Sequence, residues 1–523
     1  MMFLKKTLAS KGGFKMCVVL GENITLNDII EVARNFKKVE FSEKYINQVN
    51  KSRNLLEKWV DENKIMYGIT TGFGTLCKNI VDKSDAKQLQ KNIILSHAVS
   101  VGKNLEIEKV RTIMLLILLN SGSGYSGVRL ETLERYRYFL NNNIIPFVPG
   151  DGSVGYLGPE AHIAAAIIGI GKIFYNNKLY EANELFEILK IEKFEFSYKE
   201  GLSLVSGTTS STALAALATF DLINAVKVAD IIGAFNLEIS KGTIRAFDER
   251  LMSVRPHVDQ KNTADNVRNI LKDSTLIKES YHYRLQDALS LRAIPQAHGA
   301  VKKTFYDAKK TIEIELNSSV DNPIIWHTQL SEGEESISGC NCDSGYVGLE
   351  MDSCCIAATY LAKMSERRNN RLINGNLSEF PWFLIKNPGL NSGLMIPQYT
   401  QAGLLNEMRI LSTSSTIDNT PTCGDQEDYV AMGYTACKKA NSIADKLEYI
   451  LAIELLSVFR ANQLSDSKNN VSRVTKKVLN FIGQNIPKMD EDIYLYPIIE
   501  ELKSYIKSGK ILEIVETEIG KLK

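Results

Sequence analysis

Four long stretches of the sequence are rich in small and apolar residues, and several of them contain little charge over two or three helical turns. They run over 211–235, 345–373, 396–413 and 429–462. A helix that is apolar nearly all round is buried among other helices. With only 12 prolines in 523 residues, few positions force a helix to stop. The sequence therefore predicts a mainly α-helical fold with a central bundle of long helices.

The first 205 residues follow a different pattern, in which glycine-containing segments interrupt short helical stretches. The segments lie at 67–75, 121–127 and 149–160. Glycine is placed where the backbone turns tightly or approaches another group closely. We therefore divide the chain into a loose tail (1–16), a looped N-terminal domain that carries the chemistry (17–205) and a long-helix domain (206–523).

The charge balance excludes several kinds of partner. The chain has 62 Lys and Arg against 61 Asp and Glu, a formal net charge of +1. A nucleic-acid-binding protein usually carries a clear basic excess, and an acidic membrane surface attracts one as well. No apolar run approaches the roughly 18 residues of a membrane span. We therefore expect a cytoplasmic protein that binds neither nucleic acid nor membrane.

The eight cysteines are scattered and imply no disulfide framework, which favours a reducing compartment. Cys340 and Cys342, with Cys354 and Cys355, are the candidate metal ligands. Their spacing lacks the paired C-x₂-C units of a structural zinc site. We therefore predict no metal.

Two glycine-rich segments are candidates for a site. Tyr67 lies at the edge of YGITTGFGT. A tyrosine serves as a general base only if the pKa of its phenol is lowered from its usual value of about 10. The alternative is an aromatic side chain packed on a turn. The segment GDGSVGYLGPEAH lacks the G-K-[ST] ending of a phosphate loop, and its alternative is a helix start with Pro159 and Glu160 in the first turn.

Three further segments combine turn residues with chemically useful side chains. QDALSLR holds Gln286 and Arg292 close together, and an arginine can bind a substrate carboxylate through a bidentate fork. A lone arginine is also an ordinary ion-pair partner. Asp321 and Asn322 precede a proline in a turn sequence. The acidic run 425–430 lies ahead of a helix, where it first of all complements the helix dipole.

In this order, these segments resemble the aromatic amino acid ammonia-lyases, and among them the histidine ammonia-lyase branch. The matching segments are YGITTGFG (67–74), LSHAVSVG (95–102), PGDGSVG (149–155), EGLSLVSGT (200–208), QDALSLR (286–292), VDNP (320–323), SERR (365–368), NPGLNSGLMI (387–396) and QEDYVAM (426–432). The resemblance implies a homotetramer of mostly parallel helices in which each active site is assembled from three subunits.

The sequence departs from this family at its most characteristic feature. The family cyclises a consecutive Ala-Ser-Gly into an electrophilic methylidene-imidazolone, but here Gly155 is followed directly by Tyr156. Other family positions change too: an Asn is replaced by Ser206, a Tyr by Leu289, and a Phe-His pair by Cys342-Asp343. A modified residue dropped from a transcription would not alter those side chains. We therefore interpret the triad as absent and expect no cofactor.

The loss of the electrophile suggests a different leaving group. Ammonia is a poor leaving group, which the electrophile activates, whereas a quaternary ammonium departs unaided as a neutral amine. Asp343 can pair with a permanent cation, and Tyr156 and Tyr429 can offer cation–π faces to its methyl groups. Lys386 adds a positive charge that suits a thione or thiolate ring. This pattern resembles the ergothionase group, the trimethylammonia-lyases that convert ergothioneine to thiolurocanate and trimethylamine.

The resemblance implies a role for each candidate residue. Tyr67 removes the β-proton, and Lys386 and Glu427 stabilise charge that shifts into the ring and sulfur. Asp343 holds the trimethylammonium of this small zwitterionic betaine. The remaining contacts are assigned to Arg292 and Asn322 at the carboxylate and to His97 and Gln286 at the ring or pocket wall. His97 is alternatively a packing histidine, and Glu427 a helix-start acid.

Two alternatives remain open at this point. The first is a methylidene-imidazolone-dependent histidine or tyrosine ammonia-lyase or aminomutase. The second is an inactive relative that binds a betaine without turning it over.

Overall fold

The computed structural model describes residues 17–327 and 333–523, so the predicted tail over 1–16 lies outside the described residues. The described chain forms two compact units. The first contains 17–152, Tyr156–Ser210 and Glu315–Cys342, and the second contains Ser153–Gly155, Ser211–Ile314 and Asp343–Lys523. The division at 205/206 remains a prediction. The chain leaves the first unit near that point, at 210/211, but returns to it over 315–342.

The first unit combines short helices with small sheets. Its α-helices are Leu26–Ala33, Glu43–Asp61, Ala86–His97, Ile107–Gly122, Leu130–Asn141, Gly158–Ile167, Ala182–Leu189 and Glu200–Ser203, with a 3₁₀ turn over Gly74–Lys78. The strands of the described chain all lie in this unit: Cys17–Leu20 pairs in parallel with Lys38–Phe41, Val101–Asn104 pairs with Pro149–Asp151, Lys172–Tyr175 pairs with Ile145–Pro146 and Lys178–Glu181, and Ile324–Trp326 pairs with Glu335–Ile337.

The second unit is built from helices and connecting loops over its described residues. Its long helices are Thr209–Ile239, Ile294–Glu315, Gly345–Ile373, Met395–Leu411 and Gly433–Leu464. Shorter α-helices cover Glu249–Ser253, Val258–Ile270, Thr275–Glu279, Leu289–Arg292, Gly375–Ser378, Arg473–Asn485, Tyr496–Lys507 and Lys510–Ile519, with 3₁₀ turns at Ile244–Phe247, Ser280–His282, Trp382–Leu384 and Cys423–Asp425. The mainly α-helical fold and its long-helix bundle are thus confirmed.

Helix starts differ in a way that matters for the site. Thr25 caps helix Leu26–Ala33 through a reciprocal bond with Asp28, as a capping box does. The N-cap residues of Gly345–Ile373 and Gly433–Leu464, Ser344 and Met432, supply no such side-chain cap. At the first of these helices the Gly345 N–H is bound instead by the side chain of Asp343, two residues earlier. No helix of the described residues is long and apolar enough to cross a membrane.

Candidate active site

The Tyr67 loop is folded back on itself. The backbone N–H of Gly74 donates to the Tyr67 Oη at 2.7 Å, and the tyrosine is half-buried. Gly68 has φ +64°, and a Cβ there would lie 2.4 Å from Leu202 Cδ2. The left-handed φ and this close approach together favour glycine here. A donor aimed at the phenol oxygen stabilises negative charge on it, which suits a base.

A buried glutamine ties this loop to the segment 200–208. Gln90 Nε2 donates to the Gly68 carbonyl at 3.3 Å, and its Oε1 accepts from the Leu202 N–H at 3.2 Å. Helix Ala86–His97, which carries Gln90, ends at His97, and the His97 ring lies 5.4 Å from that of Phe73. His97 Nδ1 lies 2.7 Å from a backbone carbonyl of its own helix, so Nδ1 is assigned the proton. His97 thus packs beside the Tyr67 loop.

Asn322 is held in its turn from both sides. Its backbone N–H donates to Ser206 Oγ at 3.2 Å, and its side-chain oxygen accepts from Gly339 N–H at 2.9 Å. The preceding Asp321 forms an ion pair of 2.6 Å with Lys199, and both side chains are fully buried. Burial lowers the pKa of Lys199, and Asp321 opposes that shift. Lys199 was not identified from the sequence. Its only signal was its position directly before the matched segment 200–208.

The junction at Gly155 is where the family triad is missing. The Gly155 carbonyl accepts from Ser211 Oγ at 2.8 Å, and a Cβ on Gly155 would lie 2.5 Å from Ser344 Oγ. After the half-buried Tyr156, Leu157 has φ +77° and ψ −57°, and Gly158 N–H bonds to the Tyr156 carbonyl. This is the rare, strained form of γ-turn.

The residues present do not fit the family's electrophile. No consecutive Ala-Ser-Gly occurs anywhere in the sequence. At the junction itself, the space beside the Gly155 Cα is taken by a serine side chain, and the chain turns at once into helix Gly158–Ile167.

Glu160 does more than begin a helix. Helix Gly158–Ile167 starts as expected, with Pro159 and Glu160 in its first turn. The Glu160 carboxylate, however, accepts from the Ser210 N–H at 2.7 Å and from Thr209 Oγ1 at 2.8 Å, so it caps a different helix. Burial raises the pKa of Glu160 even though these bonds oppose the shift.

Gln286 and Arg292 line one cavity of the second unit, with a volume of about 900 Å³. Helix Leu289–Arg292 supplies only the arginine, since Gln286 lies before it on an exposed turn. The Arg292 Nε has no hydrogen-bond partner among the described residues, and no ion pair involves this side chain there. A half-buried guanidinium that faces a cavity without a partner is suited to bind an anion.

Asp343 and Tyr429 meet at the start of helix Gly345–Ile373. Asp343 Oδ1 accepts from the Gly345 N–H at 2.7 Å. The same oxygen and the Tyr429 hydroxyl both lie within 4 Å of the point where a Cβ on Gly345 would be. A Cβ on Gly433 would lie 2.4 Å from Ser344 Oγ, so the starts of two long helices abut here.

Glu427 and Lys386 lie on loops of the second unit. Glu427 precedes helix Gly433–Leu464 by several residues, so it does not belong to that helix's first turn. It is half-buried, and its Oε2 accepts from Thr422 Oγ1 at 2.9 Å. Lys386 is 59% exposed and forms an ion pair of 3.3 Å with Asp490. This pair lowers the pKa of Asp490.

The four cysteines considered as metal ligands form no metal cluster. Among the described residues, no group of three or more potential ligands is assembled. Cys340 and Cys342 place their sulfurs 3.9 Å apart. Cys354 and Cys355 are buried inside helix Gly345–Ile373.

The structure thus brings the predicted residues together in groups within each unit. In the first unit, Tyr67 and His97 are linked through Gln90 and the loop it holds. Asn322 is linked to the end of segment 200–208. In the second unit, Arg292 shares a cavity with Gln286, and Asp343 shares a helix start with Tyr429.

Comparisons with known proteins agree with this architecture. The family model described as aromatic amino acid lyase matches residues 24–484. A histidine ammonia-lyase of Alkaliphilus oremlandii is 38% identical over 508 residues, which cover 97% of this chain and 99% of the relative.

Solved structures extend the match to three dimensions. Tyrosine aminomutase from Streptomyces globisporus superposes with a TM-score of 0.92 at 31% identity, covering 97% of this chain and 100% of that one. Ergothionase from Treponema denticola, described as an ergothioneine-degrading enzyme, superposes with a TM-score of 0.87 at 26% identity, covering 95% and 99%. The shared scaffold defines a carbon–nitrogen lyase of the ammonia-lyase kind. The chain belongs to the aromatic amino acid lyase family.

Proposed function

We propose that this protein eliminates trimethylamine from ergothioneine to give thiolurocanate, without an electrophilic prosthetic group. The observation that carries the proposal is the junction at Gly155. It lacks the residues that form the electrophile, and its backbone is packed against Ser344. An elimination at a site without the electrophile needs a substrate whose nitrogen leaves without activation. A quaternary ammonium is such a group.

The proposed elimination needs only a base from the protein. A proton leaves the β-carbon for the oxygen of Tyr67, which acts as general base. The electron pair of that C–H bond forms the double bond between the α- and β-carbons. The pair of the broken Cα–N bond leaves with nitrogen as neutral trimethylamine. The proton on Tyr67 then returns to solvent.

Two residues are assigned to the carboxylate. Arg292 has an Nε without a partner in a cavity large enough for a small zwitterion, and its planar fork matches a carboxylate. Asn322 carries a side-chain amide in a turn fixed by Ser206 and Gly339. A fixed donor costs little further ordering when it binds a ligand.

The trimethylammonium is assigned to Asp343 and Tyr429. One carboxylate oxygen of Asp343 is engaged by the Gly345 N–H, and the Tyr429 hydroxyl lies beside the same point. An acid and an aromatic ring together suit a cation that cannot donate hydrogen bonds. Tyr156 is proposed as a second aromatic wall.

The remaining assignments concern the ring. Lys386 and Glu427 are proposed to stabilise charge that moves into the imidazole and sulfur, and His97 and Gln286 to contact the ring or order the pocket. Under this proposal Lys386 exchanges its partner Asp490 for the substrate, because an exposed ion pair holds the lysine only weakly.

The test is an assay with ergothioneine that follows both trimethylamine and the absorbance of the conjugated product. We expect both products from the wild-type protein. Asp343→Asn should raise KM for ergothioneine by about tenfold, since it removes a charge worth roughly 1–2 kcal/mol to the bound cation. Asp466→Asn, at an exposed aspartate of the same unit that is assigned no contact with the substrate, is the matched control and should leave KM within about twofold.

Two outcomes would overturn the proposal. One is release of urocanate from histidine with no product from ergothioneine. The other is an Asp343→Asn variant whose KM for ergothioneine equals that of the wild type, which would remove the cation-binding role.

A second candidate is a histidine ammonia-lyase, favoured by the 38% identity to a protein of that name. It requires an electrophile, so an intact mass larger by three residues less two waters than the printed sequence would support it. The third candidate, an inactive betaine-binding relative, predicts heat of binding with ergothioneine but no trimethylamine.

We also propose the homotetramer, with active sites shared between subunits. Two helices of the second unit expose side chains at the heptad spacing of a helix–helix seam. They are Tyr346, Leu349, Ile356 and Tyr360 on one helix and Ile396, Tyr399 and Ile410 on the other. Light scattering should give a mass of four chains, and a monomer would contradict it. The cytoplasm remains the proposed location, supported by eight free cysteines.

A further inference from the structure

A second cavity, unused by the proposed chemistry, lies in the first unit. It has a volume of about 560 Å³, within the range of small-molecule sites. Its lining comes from the first turns of helix Ala86–His97, from the turn 168–170 and from helix Ala182–Leu189 with the segment 190–196.

The floor of this cavity is aromatic and fixed. Phe186 and Phe196 are buried, and Phe194 crosses Phe196 edge to face at 6.0 Å between centroids. The Arg135 guanidinium lies 5.1 Å from the Phe194 ring and 5.2 Å from the Phe186 ring. Rings held in this way offer a flat apolar ligand a preformed surface.

The rim of the cavity is positively charged. Four lysines and two glutamates line it: Lys87, Lys91, Lys190, Lys193, Glu187 and Glu195. All four lysines are exposed, and none forms an ion pair with any residue that the structure describes. Unpaired cations around an apolar floor select an amphipathic anion over a neutral or cationic molecule.

We propose that this cavity binds a small aryl carboxylate, with its ring on Phe186 and Phe194 and its carboxylate among Lys91 and Lys193. The proposal does not rest on the proposed function, because it uses none of the residues assigned to the elimination.

The cavity is physically connected to the Tyr67 loop. Arg129, whose guanidinium lies 5.2 Å from the Phe194 ring, is bound at 2.9 Å by Glu200. Glu200 begins the short helix whose Leu202 N–H bonds to Gln90, and Gln90 holds the Gly68 carbonyl beside Tyr67. Helix Ala86–His97 thus contributes Lys87 and Lys91 to the cavity and Gln90 to the loop. A ligand bound in the cavity would therefore contact the helix that holds the Tyr67 loop in place.

The experiment is calorimetric titration of the full-length protein with 4-phenylbutyrate, repeated with 4-phenylbutylamine. We expect the carboxylate to bind with a Kd of about 1 mM or tighter and the amine at least tenfold more weakly, a difference of about 1.4 kcal/mol. The double variant Lys91→Glu with Lys193→Glu should lose at least about tenfold in affinity. Lys178→Glu, an exposed lysine of the same unit outside the cavity, is the matched control and should bind as the wild type does.

Hydrogen exchange locates the site and separates it from the elimination chemistry. Bound 4-phenylbutyrate should slow exchange in 86–97 and 182–196, and the same protection should appear in Arg292→Met. Protection confined to 243–296, equal affinity for the amine, or undiminished binding by the double lysine variant would each overturn the proposal. So would a change of oligomeric state in that variant, which would make the cavity a subunit contact.

Discussion

Two arginines in sequence segments matched to the same family have opposite surroundings. Arg368, in the long-helix bundle, is fully buried and bidentate to Glu454, with distances of 2.7 and 2.9 Å. Arg292 faces a cavity, and its Nε has no partner among the described residues. The guanidinium of Arg368 is paired within the fold, whereas that of Arg292 has donors that remain available to a ligand. Pairing, and not residue type, separates a structural charge from a functional one.

The bundle extends this pairing over several charges. His298 donates from Nδ1 to Asp230 at 2.9 Å, and Lys302 lies 2.5 Å from the same carboxylate. Arg368 Nη1 reaches the other ring nitrogen of His298 at 3.3 Å. Burial lowers the pKa of His298, so the ring is neutral and can accept that bond. Such a network is destabilised most when one member is removed.

The largest expected effect is on Arg368. Arg368→Met leaves Glu454 buried without its cation and should lower the free energy of unfolding by about 3–5 kcal/mol. The neighbouring Arg367 is 57% exposed and, among the described residues, ion-paired with Glu366, so Arg367→Met should cost less than about 1 kcal/mol. Denaturant titration measures both.

A partner substitution sharpens this test. Adding Glu454→Gln to Arg368→Met removes the stranded charge, while the amide oxygen can still accept from Asn236 and the amide nitrogen can donate to the Ser365 hydroxyl, and it should recover part of the loss. If the double variant were no more stable than Arg368→Met, the cost would come from lost packing, and the comparison would lose its electrostatic basis.

Tyr67 is the next test, on the side of the reactive loops. Tyr67→Phe removes the proposed base and should reduce kcat for ergothioneine by about 10³-fold, near the middle of the range for general base catalysis. Because the buried Gly74 N–H loses its acceptor, the free energy of unfolding should also fall by about 1 kcal/mol. Tyr45→Phe is the matched control: its buried hydroxyl donates to the Leu118 carbonyl, so we expect a loss of about 1 kcal/mol in stability and none in kcat. A fully active Tyr67→Phe would remove the base from the mechanism.

Arg292→Lys tests the guanidinium fork of the unpaired arginine directly. It keeps the positive charge but loses the bidentate fork, so KM for ergothioneine should rise about tenfold to a hundredfold with the melting temperature unchanged. Arg250 lines the same cavity but is 88% exposed and paired with Asp248, so Arg250→Lys should leave KM unaltered. A large fall in stability of Arg292→Lys would mean that the guanidinium fork serves the fold and not a ligand.

Local pattern was enough to predict the bundle. The run 345–373 has the same bounds in the structure, and 396–413 and 429–462 appear as Met395–Leu411 and Gly433–Leu464. Burial nearly all round, the basis of that prediction, holds for Thr209–Ile239. It was wrong for Met395–Leu411, which buries one stripe formed by Pro397, Gln401, Leu405 and Met408. The grouping of Gln286 with Arg292 was also predictable, since a short segment keeps its ends close.

Contacts between distant segments were not predictable. Glu160 caps a helix that begins about fifty residues later, at Thr209, and Lys199 pairs with Asp321 across 122 positions. No local spacing encodes such partners, because they depend on how the chain returns to the first unit over 315–342. For the same reason the sequence could not distinguish Arg292 from Arg368.

The smallest expected effect concerns a charge in the bundle that breaks the pairing rule. Glu448 is buried in helix Gly433–Leu464, and neither of its carboxylate oxygens has a hydrogen-bond partner among the described residues. Burial first, and Asp221 second, raise the pKa of Glu448 from 4.5 to about 8. Between these values the folded state holds a proton that the unfolded state has released, so stability is highest below 4.5 and falls as pH rises towards 8. Glu448→Gln should therefore gain at least about 1 kcal/mol over the wild type at a pH near 8 and much less near 5, whereas the exposed Glu407→Gln should show no such trend. A gain that does not depend on pH would mean that the bundle keeps Glu448 ionised, and that an unpaired charge can be structural there.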